Sequence, residues 1–298
     1  MKLKQWMAVA VLAALATGAV ALTGCSASSS TPAASSGGAT SSNLQGTINV
    51  SGSDTMVNLA QAWAEKFNTE NPGVVITVKG GGSGVGIAAL LNKTVDFADS
   101  SRKIKPEEVS AAATNGVNPV ETEVAKDGVV IAVNTANTVT GLTKEQLGKI
   151  YAGQITNWKD VGGADAAIVL LGRDSSSGTY SFINDEVLAK LPGKPPYAKS
   201  MRNLQSTQAI VDELGKNPNA IGYIGLGYEN ASIKAVPIDG TTASVATVVD
   251  GTYALSRGLN MYSDGQATGA KKAYLDWILG PEGQALVKAQ GFVPLGAK

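Results

Sequence analysis

Three short segments of the 298-residue chain hold the residues best suited to chemistry: Ser51-Gly52-Ser53-Asp54-Thr55, Gly80-Gly81-Gly82-Ser83-Gly84 and Arg173-Asp174-Ser175-Ser176-Ser177-Gly178-Thr179. Each is rich in hydroxyls and glycine, and each stands between a strand-like run and a helix-like run. The first amides of a helix have no intrahelical partner, and the helix dipole places partial positive charge there, so such a junction offers donors to an anion. Glycine lets backbone amides approach closely, and serine or threonine hydroxyls add further donors. Arg173 contributes a planar cation that can grip two oxygens at once. Any one of these loops reads equally well as an ordinary helix cap. Three of them aimed at one point would form a cradle for a small oxyanion.

The elements that must position the loops alternate along the chain. Thr47 to Val50 predicts a strand, and Met56, Leu59, Ala60, Trp63 and Phe67 fall at helical spacing before Asn71-Pro72-Gly73. Val74 to Lys79 predicts a second strand and Val85 to Leu91 the next helix; Ala167 to Gly172 followed by Tyr180 to Leu188 repeats the plan. Alternating strands and helices predict an α/β fold with largely parallel strands, whose ligands bind beyond the carboxyl ends of the strands. All three loops lie there.

Composition removes several function classes. Basic and acidic residues number 24 each, so no overall field draws the chain to nucleic acid, and none is expected as a partner. Histidine is absent, which takes away the usual general base of serine and cysteine hydrolases and the commonest transition-metal ligand. No catalytic residue, metal or cofactor is therefore expected. The glycine loop lacks the Lys-Ser/Thr pair of a nucleotide P-loop. Gly84-Val85-Gly86-Ile87-Ala88-Ala89 does match a dinucleotide fingerprint, but a secreted chain has poor access to such cofactors.

The amino terminus points outside the cytoplasm. Lys2 and Lys4 precede an apolar run from Trp6 to Leu22, and Leu22-Thr23-Gly24-Cys25 resembles a bacterial lipobox, in which the cysteine is lipidated and becomes the first mature residue. Residues 1–24 are thus expected to be a lipoprotein signal peptide, with Cys25 the site of diacylglyceryl and palmitate attachment. Residues 25–45, nearly all Ser, Ala, Thr, Gly and Pro, cannot bury a core and are expected to be a flexible tether.

Several motifs in order resemble the phosphate-binding proteins of bacterial ABC transporters, of the type II periplasmic-binding-protein family. They include SGSDTM (Ser51 to Met56), GGGSGVGI (Gly80 to Ile87), TVDFADSSR (Thr94 to Arg102) and AKDGVVIAVN (Ala125 to Asn134). LGKIYAGQITNWKDVGG (Leu147 to Gly163), GRDSSSGT (Gly172 to Thr179), AIGYIGLGY (Ala220 to Tyr228), TYALSRGLNMYS (Thr252 to Ser263) and GPEGQALVKAQGFVPL (Gly280 to Leu295) complete the set, and the likeness covers nearly all of residues 47–298.

The resemblance implies two lobes, each a mostly parallel sheet flanked by helices, joined by a hinge where the chain crosses near Gly128 and returns near Gly251. Residues 46–129 with 250–298 would form one lobe and 130–249 the other. It implies a site for inorganic phosphate in the cleft, built from Ser53, Thr55, Met56, Ser83, Ser101, Arg173, Ser177, Gly178 and Thr179. A membrane-tethered, extracytoplasmic monomer that catalyses nothing and hands its ligand to ABC permease subunits is the implied function. A receptor for sulfate, molybdate or a phosphonate, or a secreted phosphoesterase, would use the same cradle. One departure stands out: Ser101, followed by Arg102, occupies the position where well-known members carry an aspartate that accepts the ligand's proton. Ser175 likewise stands where an aspartate that braces the arginine is common, leaving neighbouring Asp174 as the expected brace.

Overall fold

The computed structural model describes residues 44–297. The expected signal peptide, Cys25 and nearly all of the expected tether lie outside the described residues. In chain order the elements are β1 (Gly46–Gly52), α1 (Val57–Glu70), β2 (Val74–Lys79), α2 (Ser83–Leu91), β3 (Phe97–Ser100), α3 (Pro106–Thr114), β4 (Pro119–Asn134), α4 (Lys144–Tyr151) and β5 (Val169–Arg173). They continue with α5 (Gly178–Glu186), β6 (Arg202–Leu204), α6 (Thr207–Lys216), β7 (Ala220–Gly225), β8 (Ile233–Ala235), α7 (Val245–Val249), β9 (Ser256–Asp264), α8 (Gly269–Leu279) and α9 (Pro281–Ala289). Helices α2 and α5 each begin two residues earlier than the apolar spacing predicts, because their first turns are polar and carry no hydrophobic signal.

The strands pair in the order β2-β1-β3-β9-β4-β7-β5-β6, with β8 added beside β4. Parallel ladders join β1 to β2 and β3, and β5 to β6 and β7. Around β4 and β9 the pairing is antiparallel, so the sheets are mixed rather than mostly parallel. The reason is β4 itself. It pairs with β9 from Pro119 to Gly128, then with β7 from Val129 to Val133. One strand therefore serves two sheets, and β9 runs back beside it.

Two cores lie on either side of that change of partner. On one side, Ile48, Trp63, Phe67, Phe97, Tyr274 and Phe292 pack between the sheet and α1, α8 and α9, while Ile87, Leu90 and Tyr262 fill the opposite face beneath α2 and α3. The Phe67 ring meets Tyr274 edge-on at 5.1 Å, and burying a side chain of that size contributes roughly 1.5–3 kcal/mol. On the other side, Val129 to Val133 form a continuous buried run, as expected of a strand covered on both faces, with Tyr151, Trp158, Ile221 and Tyr223 around it. Among the described residues no helix is long and apolar enough to cross a membrane.

Asp99 is an exception to this apolar filling. It shares a strand face with Phe97, so its side chain enters the core near Tyr274. There Oδ1 has no hydrogen-bond partner, and burial pushes the carboxyl up to about 8. Folded Asp99 thus keeps its proton until about pH 8, whereas the unfolded chain releases it near the ordinary value of 3.8. Between those values the folded state binds more protons, so stability falls as pH rises. Asp99→Asn, which is neutral throughout, is expected to flatten that slope and to resist urea better than the parent at pH 8. Unfolding curves at pH 5 and pH 8 check this, and equal slopes for both proteins would contradict it.

Candidate oxyanion-binding site

The amino-terminal ends of α1, α2 and α5 carry the three loops singled out above. The first turns off the end of β1: Ser53 donates its amide to the carbonyl of Asp99, and the Met56 amide donates back to the Ser53 carbonyl at 3.0 Å. The second enters α2 through Gly82, whose φ of 102° is open to glycine and costly for other residues. A Cβ on Gly82 would also stand 2.8 Å from the carbonyl oxygen of Ser176, in the third loop. The third leaves β5, where Arg173 is the last strand residue, and enters α5 with Ser177 as its N-cap, accepting from the Tyr180 amide at 3.3 Å.

These loops converge. Thr55 Oγ1 and Thr179 Oγ1 share a hydrogen bond at 3.0 Å, although 124 residues separate them. Ser83 Oγ accepts the Ser101 amide at 3.1 Å and lies 3.4 Å from Ser101 Oγ. Gly178 closes the group, since a Cβ there would sit 2.3 Å from Ser83 Oγ and 2.6 Å from Ser101 Oγ. The second and third loops also bind each other through the Gly84 amide on the Ser176 carbonyl at 2.8 Å and Ser176 Oγ on the Gly81 carbonyl at 3.0 Å. The result is a buried cluster of hydroxyls and helix-terminal amides.

Of the other residues expected at the site, Met56 sends its side chain into the first core. Ser53 is buried with its Oγ unpartnered. Ser177 lies between Thr179 and Asp174, whose carbonyl takes its amide at 3.1 Å. Arg173 does not reach the hydroxyl cluster directly. Its guanidinium donates to the carbonyls of Leu204 (3.0 Å) and Gln205 (2.9 Å), to Thr207 Oγ1 (3.2 Å), and to Asp54 of the first loop. The brace is therefore Asp54 rather than Asp174, which instead accepts from the Ser176 amide at 2.9 Å and closes its own turn. Asp54 also takes the Gly81 amide at 3.1 Å and so ties all three loops together.

A second buried cation, which the sequence reading did not single out, stands nearer the cluster. Arg257, at the start of β9, donates from Nη1 to Thr179 Oγ1 (3.1 Å) and the Ser101 carbonyl (3.2 Å), and from Nη2 to Thr55 Oγ1 (3.3 Å). Its other donors go to Asp127 Oδ2, at 3.0 Å from Nε and 2.8 Å from Nη2. Asp127 and Arg257 are direct cross-strand partners on β4 and β9. Burial pushes the Asp127 carboxyl up and the Arg257 guanidinium down, while the charge of each partner opposes that drift. Neither residue is marked out by its own strand, since both strands carry other polar residues, and only the ladder register shows that the two meet.

Two lobes built on a shared β4, with facing helix termini between them, define a solute-binding protein of the type II periplasmic class. The PBP superfamily domain matches residues 37–282. The phosphate-binding protein PstS of Borreliella burgdorferi is 32% identical over 258 residues, covering 83% of this chain and 89% of the relative; PstS of Bacillus subtilis is 33% identical over 255 residues, covering 84% and 81%. A candidate phosphate ABC transporter substrate-binding protein from Clostridium perfringens, solved with bound phosphate, superposes with a TM-score of 0.78 at 31% identity, covering 84% of this chain and all of that one. The chain belongs to the PBP superfamily and, within it, to the PstS phosphate-binding proteins.

As a ligand-binding residue alone, Arg173 would be removable without harm to the fold. Its pairing with Asp54 changes that, because removing one partner of a buried ion pair leaves the other uncompensated. Arg173→Ala is expected to weaken oxyanion binding at least about tenfold and to cost on the order of 3–5 kcal/mol of stability. Calorimetry and urea unfolding on the same preparation separate the two effects.

Proposed function

We propose that the chain is the extracytoplasmic receptor of a phosphate ABC transporter, capturing inorganic phosphate between its lobes and delivering it to permease subunits. The observation that carries this reading is the convergence of Thr55, Ser83, Ser101, Gly178 and Thr179 with a buried guanidinium at the helix termini. Phosphate-binding names among relatives that match most of the chain support it. Residues 46–129 with 250–298 act as one lobe and 130–249 as the other, with the hinge where the chain crosses near Gly128 and returns near Gly251. Ligand that touches both lobes favours the closed form over the open one, which is how binding can drive closure.

The protein catalyses nothing in this reading. Hydroxyls, amides and guanidinium groups can hold a tetrahedral anion, whereas hydrolysis needs a group that activates water, and the sequence contains no histidine. The chain acts as a monomer, tethered to the outer face of the membrane through lipid on Cys25. A lipobox-like Leu22-Thr23-Gly24-Cys25 supports that anchor.

Titration calorimetry with inorganic phosphate tests the reading. Micromolar affinity corresponds to about 8 kcal/mol, within reach of several hydrogen bonds to a charged ligand at roughly 1.5–3 kcal/mol each. Saturable one-to-one binding at micromolar concentration or tighter is expected. Absence of phosphate binding, together with binding of molybdate or a phosphonate, would move the assignment to another oxyanion.

A further inference from the structure

The two aspartates paired with the buried arginines each have both oxygens committed to protein donors. Asp54 Oδ1 takes the Gly81 amide at 3.1 Å and its Oδ2 takes Arg173; Asp127 Oδ1 takes the Leu226 amide at 2.9 Å and its Oδ2 takes Arg257. Asp174 is occupied by its own turn, and Asp99 points into the first core on the far face of β3. At position 101 the side chain is a hydroxyl. Nothing in the cluster is therefore a free carboxylate that would require its ligand to carry a proton.

Arg257 supplies the opposite influence. Its N–H groups feed lone pairs on Thr55 and Thr179 Oγ1, one from each side of the cleft. A hydroxyl that accepts from a cation is left with its proton to give; one of the two protons is used in the Thr55–Thr179 hydrogen bond, and the other makes its threonine a charge-assisted donor. The guanidinium is held in register by Asp127 across the ladder and by its stacking over Phe182, 5.4 Å from the ring centroid. Like the hydroxyls it serves, it is buried.

We propose that Arg257 is the residue that charges and orients the oxyanion cradle, and that with Ser101 it makes the site select for charge rather than for a proton on the ligand. The ligand class is the doubly charged tetrahedral oxyanions, with fully ionised sulfate admitted to the same site as phosphate. This inference rests on the cleft being an oxyanion receptor, as proposed above. It assigns to Arg257 the positioning role and to Arg173, through Asp54, the linkage of the loops.

Competition calorimetry on the full chain, with inorganic phosphate and sulfate as probes, tests it. The wild type is expected to bind both anions at one site. Arg257→Gln paired with Asp127→Asn removes the ion pair without stranding a buried charge, and both anions are expected to bind at least about tenfold more weakly while urea unfolding stays cooperative. Arg257→Lys keeps the charge and loses the fork, and is expected to fall between the two. Ser101→Asp places a carboxylate against the ligand and is expected to lower the ratio of sulfate to phosphate affinity at least about tenfold. Wild-type phosphate affinity in the double variant overturns the role of Arg257; should that variant not fold, unchanged affinity in Arg257→Lys does the same. Failure of sulfate to compete in the wild type, or an unchanged ratio in Ser101→Asp, overturns the charge selectivity. A wild type that binds neither anion defeats the receptor reading itself, a result distinct from the others.

Discussion

Two guanidinium groups are buried at the cleft, and most of the site's architecture follows from the need to compensate their charge. Desolvating a guanidinium without a partner costs several kcal/mol, so each is matched to an aspartate. Arg257 has Asp127 beside it on the neighbouring strand, and Arg173 has Asp54 from a loop far away in sequence. The first pair spans the β4–β9 ladder where β4 changes partner, and the second joins a loop after β1 to the end of β5. In the Asp54–Arg173 pair, charge compensation and the joining of two halves of the molecule are thus the same contact.

Hydroxyls and amides complete what the cations begin. Helix termini of α1, α2 and α5 lie at the carboxyl ends of strands, the usual place for ligands in α/β sheets. Their loops approach so closely that side chains are excluded at two points, Gly82 and Gly178, where a single methyl group would strike the facing loop. Such crowding suits a small compact ligand. It also explains why the loops use Ser, Thr and Gly rather than larger polar residues: donors must fit in one or two bond lengths of backbone.

The outer layers are more conventional. Helices α1, α8 and α9 cover one sheet face with aromatic residues meeting edge-on, and the second core surrounds the fully apolar run of β4. Asp99 departs from this pattern by entering the core as a lone carboxyl, and its burial makes its contribution to stability fall as pH rises from 3.8 to about 8.

Local pattern in the sequence determined a great deal. Apolar spacing located α1, alternation located β2, and loops rich in Ser, Thr and Gly marked the three helix entrances, because these signals depend on residues only a few positions apart. The order of motifs was enough to recognise the family and the two-lobed fold. What only tertiary structure decided was pairing at long range. Nothing near Arg257 reveals that Asp127 lies opposite it, 130 residues away, or that Asp54 rather than neighbouring Asp174 holds Arg173 across 119 residues. Strand register and loop convergence set these contacts, and both arise from packing between elements distant in the chain.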